Sequence, residues 1–359
     1  MASSTQKTID DYSVAILCAL NLERNVVRYM LDKEHPRLST RRGDSNSYIL
    51  GEMHGHNVVL ACLPRQQGKG AAATVATNMS RSFPSIKWRL FVGIGSGVPS
   101  DKNDIRLGDV VISMPEGEYG GVVQYDLGRE TDSEFELKGF LWPPPAFLRN
   151  AAQDMESDHI SQDSKIEEYM EAMFKRWPHM ASYKQPVEPD HLFPANVKHP
   201  AGTPACTDIC DLSQAISRLA REFNGPKIHH GLIASGDRVM KNATERDNIA
   251  RRFGRDVLCF EMEAAGLMTE YSSLVIRGIS DYADSHKNSR WQNYAAATAA
   301  ACAKELLTYI NPEVVASEPV PTMPMHQAPG GGNNVFTGSG VQNLGNFHVG
   351  GSFNVTGQR

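Results

Sequence analysis

Short apolar runs alternate with segments of helical pattern over most of this sequence, and few fold classes accommodate that alternation. Strands that are apolar throughout and interleaved with helices are typical of α/β proteins, whose functional groups lie on loops at the carboxyl ends of the strands. The runs predicted as strands cover residues 14–18, 57–63, 90–92, 109–113, 121–125, 229–234, 257–261 and 274–279. The predicted helices cover residues 21–34, 71–83, 243–253, 263–271 and 291–310.

The composition excludes several classes of function. A hydrophobic content of 41% and a charged content of 21% are ordinary for a soluble globular protein. The formal net charge of -5 argues against a nucleic-acid-binding surface. The chain has no run of eighteen apolar residues, and its first residues lack the apolar segment of a secretory signal. We therefore expect a cytoplasmic protein without a membrane span.

The six cysteines are scattered, and several lie inside the predicted strands. This distribution suits reduced thiols in the core of a cytosolic protein. Cys206 and Cys210 are four residues apart, but no histidine or cysteine follows at the spacing of a zinc site. The sequence therefore predicts neither a metal site nor a cofactor.

The periodic pattern weakens between about residues 130 and 208, where WPPPAF and many charges predict helices and loops added to the core. We expect one catalytic domain over residues 1–311 that contains this insertion. Residues 312–333 are rich in Pro, Ala and Gly and contain no Lys or Arg, which predicts a flexible linker.

Residues 334–359 carry a weak six-residue repeat in a Gly- and Asn-rich background. Asn and Gln ladders with few charges favour cross-β assembly, and six-residue periods occur in stacked β-helical coils. The pattern favours an assembly motif over the alternative, a disordered tail. The apolar positions are Val335, Val341, Phe347 and Phe353, each followed four places later by a small residue: Ser339, Gly345, Gly351 and Gly357.

Two clusters near predicted strand ends lie in the first hundred residues. Glu23 falls in the first turn of a predicted helix, where a carboxylate serves either chemistry or the helix dipole. The stretch FVGIGSGVPS places Gly93, Gly95 and Gly97 after a strand, so either backbone amides approach a ligand closely or the chain bends tightly. Neither this spacing nor GKG at residues 68–70 matches a Rossmann or P-loop motif.

Two further clusters follow later strands. In CFEMEAAG, Glu261 and Glu263 flank Met262, and a period of two puts both carboxylates on one side of an extended segment. Sugar hydroxyls are suitable donors to such a pair, although Glu263 also fits a helix start. In LVIRGISDYAD, Asp281 is either a solvated loop acid or a general acid in a partly apolar pocket.

Together these clusters resemble the nucleoside phosphorylase and nucleosidase superfamily, from about residue 12 to residue 310. The resemblance implies a mixed central sheet flanked by helices. Within the family, the sequence is most similar to fungal effector domains found beside or within NLR-type immune receptors. The tail resembles amyloid signalling motifs. The motifs that carry it, in order, are the strand leading to Glu23, VGIGSGVP, LGDVVIS, GGVVQYDLG, GLIASGDRVM, FEMEAAG and RGISDYAD.

The resemblance implies a role for each matching residue. Met262 would lie under the ribose and Glu263 would bind its hydroxyls, while Asp281, in the Ser-Asp-x-Ala-Asp pattern, would protonate N7 of the purine. Glu23 would hold and activate water. The remaining residues expected to bind substrate are Glu261, Val239, Met240, Ser280, Arg277, Ile94 and Gly95.

The resemblance leaves two reactions, attack by water and attack by phosphate. Phe91 stands where hexameric phosphorylases have an arginine, and residues 19–23 end in glutamate where such phosphorylases have a Gly-x-x-x-Arg loop. A carboxylate repels phosphate, and two carboxylates are what hydrolysis of a glycosidic bond uses. Hydrolysis is therefore favoured, with a phosphorylase as the alternative.

An aspartate beside N7 suits release of adenine, and the substrates left open are adenosine, AMP and ATP. Arg65, Lys69 and Lys241 either bind a 5′-phosphate or are simple surface charge. We expect a homo-oligomer with an immune or cell-death effector role, coupled to an NLR-type receptor or to self-assembly through the tail. A catalytically inactive nucleoside sensor is the alternative from another class.

Overall fold

The computed structural model describes residues 7–132, 135–200, 206–222, 225–254 and 256–313. They fall within one compact unit that spans Met1–Val320. The predicted tail, and the predicted linker beyond residue 313, lie outside the described residues. No helix in the described part of the chain has the length and apolar character needed to cross a bilayer.

The centre of the fold is a ten-stranded sheet that combines parallel and antiparallel pairs. This confirms the α/β fold with a mixed central sheet flanked by helices that was expected from the sequence. Two further short strands, β8 (Gly128–Glu130) and β9 (Phe135–Leu137), form a separate hairpin. The strands of the main sheet are β1 (Val14–Cys18), β2 (Lys33–His35), β3 (Tyr48–Met53), β4 (His56–Cys62), β5 (Trp88–Gly97), β6 (Val110–Ser113), β7 (Val122–Gln124), β10 (Ile228–Ser235), β11 (Val257–Glu261) and β12 (Leu274–Asp281).

Part of the sheet closes on itself. The strand order is β11-β10-β6-β12-β5-β1-β4-β3-β2, and β11 also pairs with the far end of β5. This extra pairing is antiparallel and joins Cys259 to Gly97 and Phe260 to Ser96. Five strands therefore form a small closed barrel, and the ends of β5, β11 and β12 come together at one place.

Helices cover both faces of the sheet. One buried cluster contains residues of α1, α3, α4 and α8, and a second contains residues of α2 and α7. Gly278 of β12 permits the closest approach, because a Cβ there would lie 1.8 Å from the carbonyl oxygen of Ala295 in α8. The helices are α1 (Asn21–Tyr29), α2 (Lys69–Ser82), α3 (Ala146–Asp158), α4 (Ile166–Arg176), α5 (Cys206–Ile209), α6 (Ala243–Arg252), α7 (Ala264–Met268) and α8 (Gln292–Leu306).

The structure corrects several of the sequence-based element predictions. The helix predicted over residues 21–34 ends at Tyr29, and residues 33–35 instead form β2, which pairs with β3. Strand β3 was not predicted, because Gly51 and Glu52 interrupt its apolar pattern. Gly51 is required there: a Cβ would lie 2.6 Å from the carbonyl oxygen of Lys33. The strand predicted over residues 90–92 is also longer and runs through the glycines to Gly97.

The region between residues 130 and 208 contains α3, α4, a 3-10 helix over Pro178–Tyr183 and the start of α5. Leu148 and Met155 of α3 and Met170 of α4 are buried in the same cluster as α8. These helices therefore contribute to the main core through apolar faces at helical spacing.

Candidate active site

The candidate site lies on strands β5 and β12, which are parallel neighbours in the sheet. Arg277 pairs with Gly93, Gly278 with Ile94, and Ile279 with Gly95. A Cβ on Gly93 would lie 2.2 Å from Nη1 of Arg277 and 2.6 Å from Oε1 of Glu23. The glycine thus leaves the space in which a buried guanidinium and a buried carboxylate lie side by side.

Glu23 is positioned by the junction of β1 and α1 and is only 2% exposed. Its Oε2 accepts hydrogen bonds from the backbone N–H groups of Ala19 and Leu20, both at 2.8 Å. Its Oε1 accepts a third, from the N–H of Ile94 at 2.8 Å, which ties the carboxylate to the middle of β5. These bonds hold Glu23 in one orientation, and Oε1 keeps capacity for a further donor.

Glu261 and Glu263 lie at the end of β11, and both are 6% exposed. Oε2 of Glu261 accepts a hydrogen bond from Nη2 of Arg277 at 2.7 Å and others from the backbone N–H groups of Glu263 and Ala264. Glu263 instead points toward the loop before α2, where the N–H of Gly68 lies 3.3 Å from its Oε1. The Glu261 carboxylate is therefore held by hydrogen bonds within the protein, whereas the oxygens of Glu263 can accept further hydrogen bonds.

Arg277 is the cation around which this cluster is built, and it is fully buried. Its guanidinium carbon lies 4.0 Å from the centroid of the Phe91 ring, a cation–π contact across the two strands. Burial opposes its charge, but Glu261, Glu23 and Glu263 outweigh burial and raise the Arg277 pKa. Nε and Nη1 of Arg277 have no hydrogen-bond partner among the described residues.

Burial changes the acidity of two of the carboxyl groups. It raises the pKa of Glu23 above its ordinary value, against the lowering effects of Arg277 and three backbone N–H groups. Burial, with the negative charge of Glu261, raises the pKa of Glu263 to about 7. A carboxyl group whose pKa lies near neutrality is suited to proton transfer or to binding hydroxyl groups.

Asp281 ends β12 and is 5% exposed. Its Oδ2 accepts a hydrogen bond from the Ser280 hydroxyl at 2.8 Å and lies 3.0 Å from Nζ of Lys287. Lys287 also donates to Oγ of Ser96 at 2.8 Å. Ser280 and Asp281 were predicted as site residues. Lys287 was missed because it lies six residues farther on in a loop without any recognisable motif.

The other predicted substrate-binding residues differ in accessibility. Gly95 and Met240 are buried, and Ile94 and Met262 are partly buried. Val239 is 56% exposed.

The three predicted phosphate contacts are not equivalent. Lys69 is held by two carboxylates, Asp126 at 2.9 Å and Asp237 at 3.2 Å. Arg65 and Lys241 are exposed. A phosphate group would have to compete with two acids for Lys69.

Comparison with known proteins shows the family to which the chain belongs. The sequence profile of the Phosphorylase superfamily matches residues 13–310. The chain belongs to this superfamily. A nucleotide-binding leucine-rich repeat (NLR)-like protein of the fungus Hyaloscypha variabilis is 40% identical over 307 residues. That match covers 85% of this chain and 30% of the relative, so the chain spans less than a third of the relative's length.

Several solved structures share the fold. A 5′-methylthioadenosine/S-adenosylhomocysteine nucleosidase from Neisseria meningitidis, in complex with methylthio-immucillin-A, has a TM-score of 0.53 and 19% identity. The match covers 83% of this chain and 99% of that one. The futalosine hydrolase of Helicobacter pylori also has a TM-score of 0.53, with 15% identity, and covers 83% and 98% of the two chains.

Proposed function

We propose that this chain hydrolyses the N-glycosidic bond of a purine nucleoside or nucleotide and releases adenine from adenosine or its 5′-phosphates. The observation that carries the proposal is the buried pair of Glu23 and Arg277 beside Gly93, together with Glu263 just after β11 and Asp281 at the end of β12. Solved structures with this fold include a nucleosidase and a futalosine hydrolase, which supports hydrolysis.

Glu23 is the group that activates water. A water molecule bound between Oε1 of Glu23 and Nη1 of Arg277 would satisfy both atoms, because Nη1 has no partner in the described part of the chain. As the water oxygen attacks C1′ of the ribose, one of its protons passes to Glu23. The raised pKa of Glu23 makes it a stronger base than an ordinary carboxylate.

The leaving group departs on the side of Asp281. The C1′–N9 bond breaks with its electron pair moving to the base, and Asp281 delivers a proton to N7, so that neutral adenine leaves. Lys287, at 3.0 Å, positions the Asp281 carboxyl group. After the reaction Glu23 releases its proton to solvent and Asp281 takes one up from solvent, so both groups return to their starting states. Glu263 accepts hydrogen bonds from the ribose hydroxyls, and Met262 packs under the sugar as positive charge develops at C1′.

The balance of charge favours water over phosphate as the nucleophile. Glu23, Glu261 and Glu263 surround one buried cation, Arg277, and that cation already pairs with Glu261 at 2.7 Å. An incoming phosphate dianion would meet an excess of negative charge. The Phe91 ring lies against the guanidinium where a phosphorylase of the hexameric kind would supply a second arginine.

The NLR-like relative supports a proposal about the biological role. Because an NLR-like protein is 40% identical to this chain, we propose that the hydrolase acts as an immune or cell-death effector that depletes a purine nucleoside or nucleotide. Assembly as a homo-oligomer, or through residues 334–359, belongs to the same proposal. Removing the chain after Asn311 should leave adenine release intact and abolish self-assembly measured by light scattering.

The experiment that tests the activity is chromatography of products from adenosine, AMP and ATP, with and without inorganic phosphate. We expect adenine and free ribose, or ribose 5′-phosphates, in phosphate-free buffer. Glu23→Gln and Asp281→Asn should each lower kcat by at least ~100-fold without changing the fold, whereas Glu270→Gln on an exposed site should have no effect.

Two results would point elsewhere. Ribose 1-phosphate formed only when phosphate is added would establish the phosphorylase instead. Nucleoside binding measured by calorimetry, without release of base by the wild-type chain, would favour the inactive sensor.

A further inference from the structure

A cluster of soft metal-ligating side chains lies outside the proposed catalytic groups. His199, Cys206 and Cys210 each offer one ligand atom, and these three atoms all lie within 4.8 Å of one another. The sequence predicted no metal because the two cysteines lack a partner downstream at zinc-site spacing. The fold supplies that partner from upstream, on the other side of residues 201–205.

The two cysteines lie on one face of a helical turn. They are four residues apart, and the backbone N–H of Cys210 donates to the carbonyl oxygen of Cys206 at 2.9 Å. Residues at this spacing project to the same side of a helix. Cys206 is buried and Cys210 is partly buried. Their sulfur atoms therefore face one point together, as a chelating pair must.

His199 is oriented as a metal-binding histidine. Its Nδ1 lies 2.8 Å from the carbonyl oxygen of Pro200, which accepts a hydrogen bond when the proton is on Nδ1. That tautomer leaves a lone pair on Nε2, and Nε2 is buried without a hydrogen-bond partner among the described residues. A carbonyl that accepts from one ring nitrogen is the usual support for a histidine that binds metal through the other.

Two candidates for a fourth ligand lie on the loop that follows Asp281, outside the group of three whose ligand atoms lie within 4.8 Å of one another. Oδ2 of Asp284 and both ring nitrogens of His286 are buried and have no hydrogen-bond partner in the described ranges, and Nδ1 of His286 lies 3.6 Å from Oδ2 of Asp284. The His286 ring lies 5.4 Å from that of His199 and stacks on Phe193 at 4.1 Å. A small cavity of about 30 Å³ is lined by Cys206, Asp284 and His286, among others.

We propose that His199, Cys206 and Cys210 bind a zinc ion, with the fourth position completed from Asp284 or His286. Two thiolates and an imidazole form a soft tetrahedral donor set, which suits zinc rather than magnesium or calcium. Both thiols lose their protons to solvent when the metal binds, and no redox step is involved.

Such a site would have a structural role with a consequence for catalysis. Asp284 lies three residues after Asp281, and the N–H of His199 donates to Oγ of Ser285 at 2.9 Å. The metal would fasten the segment containing His199 and α5 onto the loop that carries Lys287. It would thereby hold the surroundings of the proposed acid without contacting substrate.

The test starts with the full chain, purified from zinc-supplemented medium after removal of any affinity tag. Elemental analysis should find about one zinc ion per chain. The double variant Cys206→Ser/Cys210→Ser should carry at least ~10-fold less. The matched control Cys62→Ser, a partly buried cysteine on β4, should keep the wild-type content.

Cobalt gives an independent readout that does not depend on the variant folding. Adding Co²⁺ to the metal-free wild-type chain should produce thiolate-to-cobalt charge transfer and the intense visible bands of tetrahedral Co²⁺, saturating near one equivalent. Zinc below ~0.1 per chain together with no such bands would overturn the proposal. So would full zinc content in the double variant, or a Cys206–Cys210 disulfide found by mass spectrometry of the unreduced chain.

Discussion

Replacing Glu263 by glutamine should remove a specific part of the pH dependence of stability. Burial and the neighbouring Glu261 raise the Glu263 pKa from 4.5 to about 7, and the side chain is 6% exposed. Glutamine has nearly the same shape and keeps an oxygen that can accept from the N–H of Gly68, which now lies 3.3 Å from Oε1. The substitution therefore removes the titration and leaves the packing nearly unchanged.

The sign and the size follow from that shift. Below pH 4.5 Glu263 is protonated in both the folded and the unfolded chain. As the pH rises toward 7, the unfolded chain releases the proton while the folded chain retains it, so this group's contribution to the free energy of unfolding is lost. At 1.36 kcal/mol per pKa unit, the loss between pH 5 and pH 8 is roughly 2 to 3 kcal/mol. The variant, which lacks this loss, should become more stable relative to the wild type as the pH rises.

The assay is urea unfolding of both proteins at pH 5 and pH 8, followed by fluorescence and circular dichroism. Comparing the two proteins at each pH cancels the titrating groups that do not interact with Glu263 and any constant effect of the substitution. Glu270→Gln, the same change at an exposed position, should keep the wild-type pH profile. If the Glu263→Gln and wild-type free energies change in parallel to within ~0.5 kcal/mol, the burial argument is refuted.

Two further substitutions test the geometry. Gly93→Ala places a methyl group 2.2 Å from Nη1 of Arg277, so it should lower kcat/KM by at least ~10-fold and the free energy of unfolding by about 1–3 kcal/mol. As the control, a Cβ at Gly70 on α2 would have no atom within 4 Å, so Gly70→Ala should leave activity unchanged and stability equal or higher. Equal effects of the two substitutions would contradict the steric reasoning. Lys287→Met removes the ammonium group 3.0 Å from Asp281, so it should lower kcat for adenine release by ~10-fold or more with little change in KM. A change confined to KM would show that Lys287 does not act on the proton transfer.

Most strands of the sheet could be predicted from the sequence, because buried strands appear as continuous apolar runs. Gly93 and Gly278 interrupt two of these runs, but each lies within a recognisable motif. Strands β2 and β3 were missed for a physical reason. They lie at the edge of the sheet, where one face is partly exposed, so Gly51 and Glu52 break the apolar pattern without breaking the strand.

Residues brought together only by the fold were less predictable than those at strand ends. Glu261 and Asp281 could be proposed because each lies at the end of an apolar run, and Glu23 because it lies in the first turn of the helix after one, where α/β proteins place functional groups. His199 carries no such signal, since its neighbours in space, Cys206 and Cys210, come from a helical turn beyond residues 201–205. Their proximity depends on how the segment between residues 130 and 208 packs on the core.

The charges in the site also connect its chemistry to its stability. Burial shifts Glu263 toward its neutral form while the site is empty, but sugar hydroxyls that donate to both its oxygens would favour the ionised form and release a proton on binding. The same burial that readies this carboxyl for a ligand destabilises the empty protein above neutral pH. The stability of Glu263→Gln relative to the wild type should therefore be greater at pH 8 than at pH 5. The variant should also be less active on nucleosides. Gain of stability with full activity would mean that Glu263 does not bind the sugar, whereas loss of activity alone would mean that its pKa is not raised.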